Sequence, residues 1–202
     1  MSAPSPVTLQ GRWVRLEPLA MDHHGALCEA GADPATFRWF PSTAAGPAGM
    51  RAYIARGLDD QAQGRALPFV IRTAHDDRVV GATRFAAFEA AHRRAEIGWT
   101  WLHADVRRTP VNTECKRLLL EYGFETLGLN RVEFKTDSRN AASRAALARI
   151  GATEEGTFRN HMVMPDGALR HSVWFSVIRE EWPRVRAHLD GLLATDFSFT
   201  AA

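Results

Sequence analysis

Ala95-Glu96-Ile97-Gly98-Trp99-Thr100-Trp101-Leu102, then Arg107-Arg108-Thr109-Pro110, then Arg131-Val132-Glu133-Phe134-Lys135-Thr136, then Asn140-Ala141-Ala142-Ser143: these segments decide the reading of the chain. The first is a strand and the second a basic loop. A long amphipathic run separates that loop from a second strand, and the last segment opens a short helix. Strand, basic turn, helix start, strand and helix together present backbone N–H groups to an anion, and a pyrophosphate suits them. The chain has no G-x-x-x-x-G-K-[ST] and no G-x-G-x-x-G after a strand, which points away from ATP and NAD and toward coenzyme A.

Outward from that centre, residues 12–19 alternate polar and apolar and read as a strand. Asp22 is placed to cap a helix running to Gly31, and residues 33–49, with Gly, Pro and three aromatics, read as an irregular loop. A helix is expected over 50–64, and strands over 68–73 and 79–88, joined at His75-Asp76-Asp77. The strand at 94–102 follows, then the longest helix over 111–127, with Gly128 as its C-cap. A strand at 131–136 and a helix at 138–150 come next. Strands at 153–164 and 170–177 form a hairpin around Pro165-Asp166-Gly167, before a final helix at 180–193. Antiparallel strands with one βαβ unit among them make a mixed α+β sheet.

Composition narrows the function classes. The chain has 202 residues, 46% of them hydrophobic, consistent with one domain (1–202, core about 7–193, with tails expected at 1–6 and 195–202). A net charge of +2 gives no case for nucleic acid, and no apolar run reaches membrane-spanning length. Two cysteines, Cys28 and Cys115, make no disulfide framework and suggest a reducing, cytoplasmic setting, with no signal peptide read at the N-terminus. His24 and Cys28 are four apart on a helix, but no third ligand stands near, so no metal is expected.

The segments quoted first resemble the GNAT N-acetyltransferase superfamily, in the branch of the ribosomal-protein N-terminal acetyltransferases. The resemblance extends to Leu9-Gln10-Gly11-Arg12-Trp13-Val14-Arg15-Leu16, to Asn112-Thr113-Glu114, to Ile150-Gly151-Ala152, to Gly156-Thr157-Phe158-Arg159 and to Ser172-Val173-Trp174-Phe175-Ser176. It implies a mostly antiparallel twisted sheet splayed between its fourth and fifth strands, with helices on both faces. It also implies acetyl-CoA as co-substrate and a primary amine as acceptor.

Candidate site residues follow from residue chemistry and from this resemblance. Arg107, Arg108, Thr109, Val111, Asn112 and Thr113 stand where the resemblance puts the pyrophosphate. Thr109 reads as an N-cap and Pro110 as the first helical residue. Relatives usually carry glycine at the positions of Arg108 and Pro110, and the proline removes one N–H donor. The resemblance has the pantetheine arm pair with the backbone of the splayed strand at Trp99, Thr100 and Trp101, and has Asn140 bond the same arm. Alternation alone puts Trp99 and Trp101 on one face, with Glu96, Gly98 and Thr100 on the other, unless a bulge intervenes.

For chemistry, the resemblance implies Glu96 as the group that drains the amine proton, with Glu133 and Asp137 as fallbacks. Arg84 and Arg94 are the salt-bridge partners to expect if Glu96 is structural. Many relatives carry a tyrosine as general acid where this chain has Leu147, which leaves Ser143 as the hydroxyl near the thiol. The acceptor slot is expected around Phe37, Trp39 and Phe40 and around Arg159, Asn160, His161 and Met162, with His171 where relatives often have an acid. Three function classes stay open at this stage: an N-acetyltransferase of a protein N-terminus, one of a small amine (amino acid, polyamine or antibiotic), and a non-catalytic acyl-CoA-binding module. A homodimer is left open.

Overall fold

The computed structural model describes residues 4–42, 44–194 and 197. Most of the tails expected at 1–6 and 195–202 therefore lie outside the described residues. Eight described strands form one sheet: β1 (Leu9–Gln10), β2 (Val14–Pro18), β3 (Ala66–Thr73), β4 (Val79–Glu89), β5 (Arg94–Leu102), β6 (Arg131–Asp137), β7 (Thr153–Val163) and β8 (Leu169–Ile178). Their order across the sheet is β1-β2-β3-β4-β5-β6-β8-β7. Every pairing is antiparallel except β5 with β6. A parallel neighbour needs a crossover, and α3 (Pro110–Glu121) supplies it.

Two cores follow from strand alternation. On one face Leu67, Phe69, Ile71, Phe85 and Ile97 pack with Leu118, Leu119 and Leu120 of α3, with Leu147 of α4 (Ala141–Arg149) and with Val185 and Leu189 of α5 (Trp182–Leu193). On the other, Val70, Val79, Ala82 and Trp101 pack with Leu27 of α1 (His24–Ala30) and with Met50 and Ile54 of α2 (Gly46–Ala62). Helices cover both faces, and the sheet opens between β5 and β6. These are the fourth and fifth of the expected strands, renumbered because a two-residue strand precedes them.

That extra strand has a cause. The expected strand over 12–19 is entered through a tight turn in which the Gly11 N–H donates to the Val14 carbonyl at 2.8 Å. Glu114, from α3, pushes its carboxylate into this turn and accepts from the N–H groups of Arg12, Trp13 and Val14 at 2.8, 2.6 and 2.8 Å. A Cβ on Gly11 would collide with that carboxylate. Glu114 therefore holds the first strand, although its sequence neighbours Asn112 and Thr113 belong to the helix start.

Other boundaries shift for local reasons. α2 starts four residues earlier than expected, with Pro47 in its first turn. The helix expected over 111–127 is α-helical to Glu121 and then a π-turn over Tyr122–Thr126, closed by the Leu127 N–H donating to the Tyr122 carbonyl at 2.9 Å. Gly128 then takes φ +67° as the expected C-cap. The helix expected from 138 starts at Ala141, because Asn140 is its N-cap and accepts from the Ser143 N–H at 3.1 Å.

Candidate active site

The strands β5 and β6 pair only at Arg94–Arg131, Ala95–Val132 and Glu96–Glu133, and then part. Beyond Glu96 no described strand pairs with β5 on that side, so its backbone edge faces an open gap. On its other side β5 stays paired with β4, but the register slips: Arg84 faces Gly98 and Ala82 faces Trp101. Two residues, Trp99 and Thr100, oppose Thr83 alone, which is a bulge one residue later than Gly98. Trp99 sits at φ +51°, a conformation that costs energy for a non-glycine residue and persists only when its neighbours fix it. The Arg84 guanidinium lies 3.6 Å from the Trp99 ring centroid, and the Tyr53 hydroxyl donates to the Trp99 carbonyl at 3.4 Å.

The bulge reverses side-chain parity. Ile97 and Leu102 both join the α3-side core, while Trp101 joins the α2-side core against Phe37 at 5.2 Å. Glu96 and Gly98 therefore lie on the face of Trp99 and Trp101, while Thr100 turns to α3 with Ile97 and Leu102. This corrects the simple alternation. A Cβ on Gly98 would stand 2.7 Å from the Glu96 carboxylate oxygen, so a larger residue there would displace that carboxylate.

Around the gap, on the α2 side, sits a cluster of charges. Lys135 Nζ donates to Glu96 Oε2 at 2.8 Å and lies between the Trp99 and Trp174 rings, at 5.8 and 5.3 Å. Neither Arg84 nor Arg94 is the partner of Glu96: Arg84 pairs with Asp60 at 3.2 Å and Arg94 with Glu133 at 3.0 Å. The fallback carboxylates are both engaged by arginines, Glu133 by Arg94 and Arg131, and Asp137 by Arg139. For Asp137, burial works upward, but the Arg139 hydrogen bonds prevail and hold the carboxyl below its ordinary range.

At the start of α3 the capping expectation holds. The Thr109 hydroxyl accepts from the Val111 N–H at 3.3 Å and donates to the Val106 carbonyl at 2.7 Å. This engages the donor expected to be free at Val111. The N-cap carbonyl takes the first intrahelical bond, which engages the N–H of Thr113. The Thr113 hydroxyl is buried and accepts from Arg149 at 2.8 Å. Arg107 is tied to the Leu102 carbonyl at 3.1 Å and to Thr36 at 3.0 Å. Asn112 and the exposed Arg108 remain to meet an anion. Arg108 takes φ +64°, the left-handed conformation that a glycine adopts freely.

The acceptor frame assembles in part. The Trp39 carbonyl accepts from Arg170 at 3.2 Å, Arg170 Nε donates to Ser172 at 3.1 Å, and Ser172 meets His161 Nδ1 at 2.9 Å. Trp39 and His161 are thereby joined through β8. Phe37 is buried in the α2-side core, and Phe40, half-buried, packs on it at 5.7 Å. Between Phe158 and Met162, β7 bulges around Asn160, at φ +49°, whose N–H donates to His171 Nδ1 at 2.9 Å. Phe158, Arg159, Asn160, His161 and His171 line an open concavity of about 800 Å³. Burial, with Lys135 and Arg170 nearby, holds the His161 imidazole below its ordinary range.

The sequence profile of the acetyltransferase (GNAT) domain matches residues 14–153. The chain belongs to the GNAT acetyltransferase family. Among curated proteins it is 32% identical over 108 residues to the Bacillus subtilis protein named "Putative ribosomal N-acetyltransferase YdaF", a match spanning 54% of this chain and 58% of that protein's length. Among solved structures, a GCN5-related N-acetyltransferase from Brucella melitensis superposes with a TM-score of 0.88 at 30% identity, covering 95% of this chain and 87% of the other. A crystal structure from T. thermophilus superposes with a TM-score of 0.85 at 36% identity, covering 94% and 98%.

Within the GNAT sheet, several residues at the gap were not read from sequence. Lys135, Arg170 and Tyr53 had no motif to mark them. Lys116 carried a usable signal, since Thr113, Lys116 and Leu120 share one inward stripe of α3, all at 5% exposure or below. Cys115, one residue earlier, is buried, and burial pushes its thiol up to about 11, which makes it a poor nucleophile. Ser143 is half-buried in the first turn of α4, and Leu147 belongs to the α3-side core. Among the described residues no group of three or more His, Cys, Asp or Glu side chains could hold a metal, and no helix is long and apolar enough to cross a membrane.

Proposed function

We propose that this chain transfers an acetyl group from acetyl-CoA to a primary amine, with a protein N-terminal α-amine as the favoured acceptor. The observation that carries the reading is the gap after Glu96, where β5 offers an unpaired backbone edge next to the start of α3. An extended pantetheine arm can add to such an edge as a strand would. Asn112 and Arg108 are the groups left to receive the pyrophosphate, and Asn140 and Ser143 flank the arm from α4. The co-substrate supplies an activated acyl group, and the protein supplies position and charge.

Acetyl transfer proceeds by direct attack in a ternary complex. The acceptor amine must be neutral to attack, and an α-amine has a pKa near ~8, so a modest proton acceptor suffices. Glu96 fills that role through water, with Lys135 fixing its orientation. A β5 N–H near Trp99–Trp101 faces the oxygen on which charge develops. The open concavity by Arg159 and His161 suits an extended chain end, and the relative YdaF is named a putative ribosomal N-acetyltransferase.

Acetyl-CoA is expected to raise the melting temperature, because a ligand of the folded state alone stabilises it. Acetyl-pantetheine should do so less, since it lacks the phosphates. Equal shifts would remove the α3 start from the site, and no shift with either would remove the cofactor assignment. Thiol release with N-terminal peptides against amino acids and polyamines then identifies the acceptor class.

A further inference from the structure

The α3 side of the gap holds a second lysine that the proposed mechanism leaves unused. Lys116 is 5% exposed. Its Nζ donates to Thr100 Oγ1 at 2.7 Å, and Thr100 in turn meets Thr83 Oγ1 at 2.8 Å. The same Nζ lies 6.0 Å from the Phe134 ring centroid. Thr100 belongs to β5 and Phe134 to β6, and both lie beyond the last paired residues, Glu96 and Glu133. Lys116 therefore reaches to the two diverging strands from behind, as Lys135 stands between them in front.

An ammonium has three N–H donors, and hydrogen-bond partners among the described residues account for one. No described carboxylate lies within salt-bridge distance of it, and the neighbouring Cys115 stays a neutral thiol. A buried cation with unused donors is expensive, and an apolar side chain would fill the place at less cost. The Nζ lies on the α3 side of the two strands at the level where they part.

We propose that Lys116 is the proton donor to the departing thiolate. This rests on the acetyl-CoA reading above. The amine nitrogen bonds to the carbonyl carbon, and the carbonyl electron pair moves to oxygen. When that pair returns, the carbon–sulfur bond breaks and its electrons leave on sulfur, which takes a proton from Lys116 Nζ. The amine proton leaves through Glu96, and Lys116 regains a proton from water before the next turnover. The role is the one that a tyrosine fills in relatives at the position of Leu147 and that the resemblance leaves to Ser143; Lys116 takes the place of Ser143 in it, from the side of the sheet on which Leu147 packs. Burial also lowers the Lys116 pKa from its ordinary value, the direction in which an ammonium gives up its proton more readily.

The test needs no acceptor. The thiolate of bound coenzyme A is followed by its ultraviolet absorbance against pH, with S-methyl-coenzyme A as the non-ionising reference. In the wild-type protein the bound thiol should ionise at least tenfold more readily than free coenzyme A, and in Lys116→Met that gain should vanish. Lys116→Gln gives the same comparison should the methionine variant not fold. The wild-type titration also decides by itself: a bound thiol that ionises like free coenzyme A overturns the proposal, as does an equal gain in wild type and variant. Stabilisation by acetyl-CoA is measured alongside. If it is present while the thiol titrates normally, only Lys116 falls. If it is absent, the cofactor reading falls and takes this proposal with it.

Discussion

Glu96 and Lys135 stand 2.8 Å apart, and this pair gives Glu96 two separable jobs. As a proton acceptor it works through its carboxylate, and as an ion-pair partner it only holds Lys135 against Trp99 and Trp174. Glu96→Gln should lower kcat by about 10²–10⁴ if it drains the amine proton. The loss should be greatest below the acceptor's pKa and recover as pH rises. Lys135→Met removes the partner and leaves the carboxylate, so its loss should be smaller and should not depend on pH in that way. If the two variants lose equally, or Glu96→Gln loses less than about threefold, a general-base role is replaced by the ion pair. Only the family resemblance marked Glu96, because an isolated carboxylate on a strand reads by itself as exposed or salt-bridged. Lys135 could not be picked as its partner, because that contact depends on two strands that pair for three residues and then part.

At the scale of the element, α3 shows what a local reading reaches and where it stops. Thr109-Pro110 announces a cap and a first turn, and both form, because capping needs only residues two or three apart. The supply of free donors did not follow. Thr109 itself takes the Val111 N–H, and the Thr113 hydroxyl is buried, where it accepts from Arg149 of another helix. Pro110→Gly restores one N–H beside Asn112. Coenzyme A affinity, measured by calorimetry, is expected to change by less than about tenfold, ~1.4 kcal/mol, because Arg108 and Asn112 are untouched. A loss beyond a hundredfold in a folded protein would mean that the fixed φ of Pro110 aims Asn112 at its ligand. The bulge in β5 was legible only as a conditional, since Gly98 marks the region while Trp99 adopts the left-handed backbone one residue on.

Across the whole molecule, the succession of strands along the chain and the single parallel pair were legible, because a long amphipathic helix between two strands forces a crossover, but the place of β8 between β6 and β7 was not. The contact that ties the first strands to that helix was not. Glu114 accepts three backbone N–H groups about a hundred residues away, and a sequence has no local trace of such a bond. Glu114→Ala removes the acceptor that these three N–H groups share and should cost about 3 kcal/mol in urea unfolding. Glu114→Gln should cost less, because its amide oxygen can replace Oε2, the acceptor for Trp13 and Val14, although its NH2 then faces the Arg12 N–H. Gly11→Ala should also destabilise the protein, since the new Cβ meets the Glu114 carboxylate. The two sites touch, so their effects should not add. With Glu114→Ala in place, the space in front of residue 11 is empty, and Gly11→Ala should cost at least ~0.5 kcal/mol less than it does alone. Strict additivity would show that the turn relaxes without the carboxylate, and that Glu114 sits beside the first strand without holding it.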